Sequence, residues 1–344
     1  MTNRTVETAD TPIPSGNRSL STLLHRLARQ REYAVLALLI VTLSVVGAVN
    51  PAFLSGGNLR DMLVQDAPIV IAACGLTFVV LLGEIDISIG SLMGLLATAL
   101  GQLCSPSHAA LPVWIAVTLT LLLGTGIGLL NGLMVTLGRM PSIIVTLGML
   151  TVLSGINLLL MNGKWITDLP PGLRWFGVGT MLGIPICLWA ALFVVLGAVL
   201  LARETPLGRR IYAAGSNPDA ARLAGLSVWK LKLFAFTLTG FLTAVATVIS
   251  VPRLSVIESG VGQGFELLVV TCVVVGGTSI SGGRGSIIGS ALAALLLGLV
   301  RPMLIFLRLG VSASYWERAI QGAFILLAVL ADHLARRTRW DARR

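Results

Sequence analysis

The apolar residues of this chain fall in runs of roughly twenty, separated by short polar stretches, and the runs show no strict alternation. A run of that length is what an α-helix needs to cross a ~30 Å hydrocarbon core. Strands of a membrane barrel would read as shorter alternating segments, so the pattern predicts helices and not a barrel. About ten spans follow, near residues 33–49, 67–84, 88–104, 111–130, 142–161, 185–202, 233–251, 265–280, 286–307 and 319–334. Gly and Ser interrupt the third. The ninth carries Arg301-Pro302 near its far end, where a kink is expected. The fold class expected is therefore all-α, a polytopic integral membrane protein. A tail over 1–32 precedes a transmembrane domain over 33–334, and a basic tail over 335–344 follows.

Composition supports this picture and charge orients it. Only 12% of the 344 residues are charged, 55% are apolar, and the mean hydropathy is +0.90. A soluble domain carries about 25% charged residues, so this chain could not cover a water-facing surface. Its net charge of +10 does not call for nucleic acid, because cytoplasmic loops of membrane proteins collect Lys and Arg. With the N-terminus inside, 18 of the 25 Lys and Arg lie in inward segments, so both termini are expected in the cytoplasm. Trp165, Trp175 and Trp316 then fall at the outer interface. In 20-LSTLLHRLARQREY-33, Leu20, Leu23, Leu24 and Leu27 share one helical face apart from Arg26, Arg29 and Arg31, which suits a helix lying on membrane lipid. Cys74, Cys104, Cys187 and Cys272 sit in or at the ends of separate apolar runs and read as small apolar residues.

The largest inward loop covers 203–232 and contains 217-NPDAARLAG-225. Asn217 suits an N-cap, Pro218 the first helical position, and Asp219 the positive end of the dipole, while Gly225 can end the helix in left-handed geometry. About seven residues give ~10 Å of helix, too little to be stable alone in water. Such a smooth helix must lie against either the protein's own span ends or a cytoplasmic partner.

Other polar features fall inside or beside the spans. In 83-GEIDISIGS-91, Glu84 is placed at the cytoplasmic interface as a solvated acid. Asp86 either caps the next helix, with Ser88 beside it, or contacts a solute. Spans broken by Gly and Ser often line a cavity. Asn131 and Asn157 could bond sugar hydroxyls or link helices. Gly124, Gly126, Gly128 and Gly132 mark close helix packing, not a nucleotide fingerprint, because no strand precedes them. The glycines of 276–290 with Arg284 read as a tight cytoplasmic turn between spans eight and nine, flexible and re-entrant, with close helix contact. The chain has no GxxxxGK[ST], no HExxH and no nucleophile elbow, so neither ATP binding by this chain nor catalysis is expected.

These motifs carry a resemblance. Gly208, Arg209, Tyr212, Ala213, Gly215, Asn217, Ala220, Ala221 and Gly225 are similar to the coupling region of permease subunits of ATP-binding cassette (ABC) importers, in the branch that includes ribose permeases. The stretches 83-GEIDISIGS-91, 131-NGLMVTLGRMPSIIVTLGML-150 and 276-GGTSISGGRGSIIGS-290 match in family order, although Glu84 stands where Gly is usual. The stretch 162-NGKWITDLP-170 resembles rhamnose and autoinducer-2 permeases. The resemblance implies a bacterial inner-membrane importer subunit that translocates a small polar solute, a monosaccharide or autoinducer-2, by alternating access. It implies cytoplasmic ABC ATPase subunits that hold ATP and Mg, a periplasmic or lipid-anchored solute-binding protein, and a second permease copy or a similar chain. ATPase docking is then assigned to Gly208, Arg209, Tyr212, Gly215, Asn217, Asp219, Ala220, Ala221, Arg222 and Gly225. The translocation-path candidates are Asp86, Ser88, Asn131, Thr146 and Asn157. The alternatives are an ion-coupled secondary transporter using Glu84 and Asp86 and, last, a membrane-embedded lipid enzyme.

Overall fold

The computed structural model describes residues 31–254 and 256–307, and beyond them 316–317, 319–324, 326–327 and 330. Most of the N-terminal tail, including its amphipathic segment, the tail over 335–344 and part of the tenth expected span lie outside the described residues. The helices are α1 (Arg31–Val49), α2 (Gly56–Leu81), α3 (Ile89–Cys104), α4 (Val113–Thr136), α5 (Ser142–Met161), α6 (Pro171–Val178), α7 (Ile186–Arg203), α8 (Pro206–Ser216), α9 (Pro218–Leu223), α10 (Val228–Ser250), α11 (Phe265–Val275), α12 (Ile287–Gly298) and α13 (Val300–Phe306). Among the described residues seven helical stretches are long and apolar enough to span a bilayer, the last made of α12 and α13 together.

Two spans differ from expectation, and the kink expected near Arg301-Pro302 appears as a break, each for a local reason. The second span begins at Gly56 and not at 67, because Ser55 caps it by accepting from the Asn58 amide; it then runs through Pro68. The third span is not interrupted: Gly90, Ser91 and Gly94 lie within continuous α3, and the irregular backbone falls before it, at 82–88. The ninth breaks at Leu299, between α12 and α13. The ring of Pro302 disfavours helix four residues upstream, at Gly298, where α12 ends.

Helix α2 is the hub. It is buried continuously from Asp66 to Leu81 and packs on α7, α10, α11 and α12, while α1, α4, α5 and α7 turn much of their apolar surface outward. In lipid, contact between helices rests on close backbone approach and satisfied polar groups more than on a hydrophobic drive. Both are present here. Gly124, Gly128 and Gly132, four residues apart on one face of α4, abut α10, where Gly240 meets Gly128 backbone to backbone. Gly126, on another face, has open space around it. Buried Thr239, Thr243 and Thr247 of α10 each donate to the carbonyl four residues earlier, at 2.9, 2.8 and 2.8 Å, so no hydroxyl is left bare. The four cysteines are free and buried, as small apolar residues would be.

The face expected to lie outside is tied by short elements. A two-residue hairpin, β1 (Thr180–Met181) with β2 (Ile184–Pro185), turns through Leu182 and Gly183, both at positive φ. Ile166 and Ile257 form an isolated bridge. Trp165, Trp175 and Trp316 are all exposed, as interfacial residues are. Asp168 accepts from Ser105 Oγ at 2.8 Å and from the Ser107 amide and hydroxyl at 3.0 and 2.5 Å. Those hydroxyl and amide bonds hold its carboxyl down to about 2, from an ordinary 3.8. A depressed carboxylate contributes its stabilisation above the unfolded value and loses it as pH falls through the folded one. Hydrogen exchange of the 105–108 backbone should therefore be steady at neutral pH and accelerate structurally between about pH 4 and 2. Asp168→Asn should show fast exchange without that step.

Candidate functional site: the 203–232 loop and a buried polar junction

The inward loop is more structured than its sequence suggests. Thr205 caps α8 by accepting from the Gly208 amide at 3.1 Å, and α8 turns tightly off α7 because Gly208 presses against the carbonyls of Leu201 and Ala202. Asn217 then caps α9, its Oδ1 accepting from the Asp219 and Ala220 amides at 3.1 and 3.0 Å. Gly225 ends the turn at φ +80°, and Arg222 pairs with Asp219 at 2.8 Å. The start and stop signals of 217–225 thus appear as expected.

The faces of α8 and α9 sort the ten candidate docking residues. Gly208, Gly215 and Ala221 are buried against the protein's own body. Partly buried Tyr212 donates its hydroxyl to the Gly285 carbonyl at 3.0 Å, and burial raises its phenol above the ordinary range. Arg209, Asn217, Asp219, Ala220, Arg222 and Gly225 face outward. So does Leu223, 91% exposed, which sequence reasoning passed over. A lone Leu in a loop carries no signal until its face is known.

This loop is sewn to the span ends. The Gly283 amide donates to the Leu81 carbonyl at 2.8 Å, and Gly215 sits so close to both that its α-carbon has no room for a side chain. The 276–285 turn is therefore a packed seam between α2, α8 and α12: the close helix contact its glycines suggested is present, and the backbone bonds tie down the flexibility they also suggested. Glu84 departs from expectation too. Its side chain is only 14% exposed and is paired with Lys232 of α10. The partner lies 148 residues away, which no local reading of a solvated acid could supply. Beside this pair a cavity of about 470 Å³ opens, bordered by Arg139, Arg222 and Trp229.

From Glu84 the extended segment leads to a polar node. Asp86 Oδ1 accepts from the Ser88 amide at 2.9 Å and from Ser88 Oγ at 2.6 Å; Ser88 Oγ in turn accepts from Asn131 Nδ2 at 2.9 Å. Ser142 Oγ accepts from the Ile85 amide at 3.2 Å, and Thr146 Oγ1 donates to the Ile85 carbonyl at 3.4 Å. Four of the five path candidates thus gather at the 85–88 segment. Asn157 lies apart: it accepts from Thr98 at 2.6 Å and donates to the Ser259 carbonyl at 3.2 Å, which is a link between helices and loop. Asp86→Asn should keep the Ser88 contacts through its remaining oxygen. Reconstituted uptake should fall about tenfold with subunit assembly unchanged, the loss of one charge-assisted bond.

Two ionisable residues inside the spans escaped the sequence reading. Asp66, buried in α2, lies against the backbone of Gly298 in α12. Glu266, in the first turn of α11, reaches Gly90 in the first turn of α3. Each falls in or beside an apolar run, where one acid among twenty residues has no visible partner.

Comparison with known proteins decides what this architecture is. Residues 58–329 match the family described as branched-chain amino acid transport system / permease component. The chain belongs to this family. It is 36% identical over 311 residues to the ribose import permease protein of Haemophilus influenzae, covering 89% of this chain and 94% of that one. It is 38% identical over 306 residues to the ribose import permease protein of Escherichia coli K12, covering 88% and 94%. The autoinducer 2 import system permease protein of Escherichia coli is 33% identical over 308 residues, covering 90% of this chain and 88% of that one. This permease is a multi-pass protein of the bacterial inner membrane and a transport subunit of an ABC importer of the monosaccharide branch, not an enzyme. An importer of that class works with ATPase and solute-binding partners. The ion-coupled alternative falls with this result, and Glu84, its first candidate, is already neutralised by Lys232.

Proposed function

We propose that this permease moves a small neutral polar solute, a ribose-like monosaccharide or autoinducer-2, by alternating access within a pair of permease subunits. The solute class comes from the relatives, whose names carry ribose and autoinducer 2. A periplasmic or lipid-anchored binding protein delivers the solute to the outer loops. Two cytoplasmic ATPase subunits bind ATP and Mg, and α9 is where this chain meets them. Asp86, Ser88, Asn131 and Thr146 line or shape the path.

One observation carries this reading. Helix α9 continues directly from α8, and α8 is packed on a seam that joins the end of α2 to the turn after α11, through the Gly283 to Leu81 bond and the Tyr212 to Gly285 bond. A push on α9 therefore reaches both elements that lead into the polar node. The test is purification of the permease from its native membrane in mild detergent, with mass spectrometry of what accompanies it. A stoichiometric ATPase and a binding protein that takes up D-ribose or autoinducer-2 are expected. Permease that remains free of any ATPase after gentle cross-linking would overturn the proposal.

A further inference from the structure

Helices α3 and α11 are both too short to cross a bilayer, at about 24 and 16 Å against the ~30 Å hydrocarbon core. Their first turns meet. Gly90 of α3 lies against the Gly262 carbonyl and the Glu266 carboxylate, and Gly94 lies against the Val261 carbonyl. From Gly90 to Gly101 along α3 the neighbouring loop runs backward from Gly262 to Ile257, so the loop descends beside α3 and hands over to α11 at its foot. The far ends part to opposite faces. The residues after α3 join the outer Asp168 clasp, and those after α11 join the seam with α8. Placed head to head, the two half-helices together span about 40 Å, the thickness of a bilayer with its headgroups. Their shared junction therefore lies inside the membrane.

Two positive helix ends facing each other inside a membrane call for negative charge or a polar ligand. Glu266 supplies the charge. Partly buried, it forms neither a hydrogen bond nor an ion pair among the described residues. Gly264, which precedes α11 at φ +81°, gives that helix no side-chain cap; the Phe265 amide donates to the Gly262 carbonyl at 3.1 Å, and the Glu266 and Leu267 amides stay available as donors. A second feature points the same way from the other side. Asn131, 1% exposed, reaches Ser88 at the foot of α3, and its Oδ1 is buried with no donor. An orphaned buried acceptor is rare and costly, and marks a place where a partner is missing.

We infer that this junction is the solute station of the permease and that Glu266 is a solute-contacting residue. The carboxylate accepts and the free amides of α11 donate, which matches hydroxyl groups, since each hydroxyl does both. Asn131 Oδ1 takes a further hydroxyl proton when the junction opens. The same carboxylate repels anions, so the station takes neutral hydroxyl-rich solutes and rejects their phosphorylated forms. The inference rests on the proposed sugar-import function and adds its binding site.

The experiment uses the complete importer, permease with ATPase and binding protein, in proteoliposomes with radiolabelled D-ribose, L-rhamnose or autoinducer-2. Glu266→Gln keeps the shape of the side chain and removes its charge. Uptake should fall about tenfold or more while assembly and binding-protein-stimulated ATP hydrolysis stay unchanged, and Glu266→Asp should recover part of the loss. A merely structural role would lower assembly and hydrolysis along with uptake, and that pattern overturns the inference. Wild-type uptake with unchanged uptake by Glu266→Gln overturns the station alone. A wild-type importer that hydrolyses ATP yet takes up none of the three solutes overturns the proposed solute class and the station with it. If Glu266→Gln does not assemble, carbodiimide labelling of Glu266 in the wild-type complex decides. Protection by saturating solute supports the station, and unchanged labelling overturns it.

Discussion

Leu223→Asp is expected to abolish ATP-driven uptake while leaving the protein folded and inserted. The side chain is 91% exposed, so the isolated permease loses no packing when it changes. Surface substitutions of that kind usually alter stability by no more than about 0.5 kcal/mol. A partner that closes over α9 would bury this Leu, a contribution of about 1.5–3 kcal/mol, and would then have to accept an unpaired carboxylate in its place. The sum weakens docking by roughly a hundredfold or more. ATPase recovery on purified permease and solute uptake in proteoliposomes both report it. The contrasting variant is Ala221→Asp. Ala221 is buried against the protein's own body, so that change should lower the yield of folded permease before any docking is tested. Wild-type ATPase recovery and uptake by Leu223→Asp would remove α9 from the docking surface.

Gly215→Val should cost the most stability of any single change in the 203–232 loop. A β-carbon there would fall on the Leu81 carbonyl and within 2.7 Å of the Gly283 amide nitrogen, and both neighbours are backbone. Neither can rotate away, so α8 must separate from the seam and break the Gly283 to Leu81 bond. Overpacking of this kind costs about 1–3 kcal/mol, and the lost bond adds about 1 kcal/mol. Thermal unfolding in detergent should show a clear fall in Tm, and a protease should cut between 203 and 232 well below that temperature. Gly225→Ala serves as the control. The space around Gly225 is open, and only its φ of +80° opposes a side chain, so the penalty stays near 1 kcal/mol. Equal Tm values for the two variants would show that the seam is not packed as described.

Much of this protein was legible without coordinates, because its strongest signals are local. A twenty-residue apolar run has one stable outcome in lipid, so most of the long helices followed from the pattern of hydropathy, whereas α3 and α11, counted among the ten expected spans, are too short to cross. The Asn217-Pro218-Asp219 start and the Gly225 stop act within one turn, and each fell where its chemistry required. Of the four glycines expected to mark close helix packing, Gly124, Gly128 and Gly132 lie against α10, and Gly126 does not. What failed to show was every relation between distant residues. Glu84 needed Lys232, Asn131 needed Ser88, and Glu266 needed Gly90, across separations that composition and periodicity do not encode.

The same division explains the site. Residue types alone marked Asp86, Ser88 and Asn131 as polar groups in an apolar chain, since a polar side chain in lipid must find a partner or serve a function. They could not say whether the Gly and Ser near residue 90 break a helix or let another segment approach it. The packing of the 257–262 loop answers that: Gly90 and Gly94 stay helical, and their missing side chains make room for loop carbonyls. Amino-acid order dictates spans, caps and turns, because these depend on neighbours within a few residues. The meeting of two half-helices, the burial of Ala221 and the exposure of Leu223 depend on which distant surfaces come to share one interface, and that is settled only when the whole chain packs.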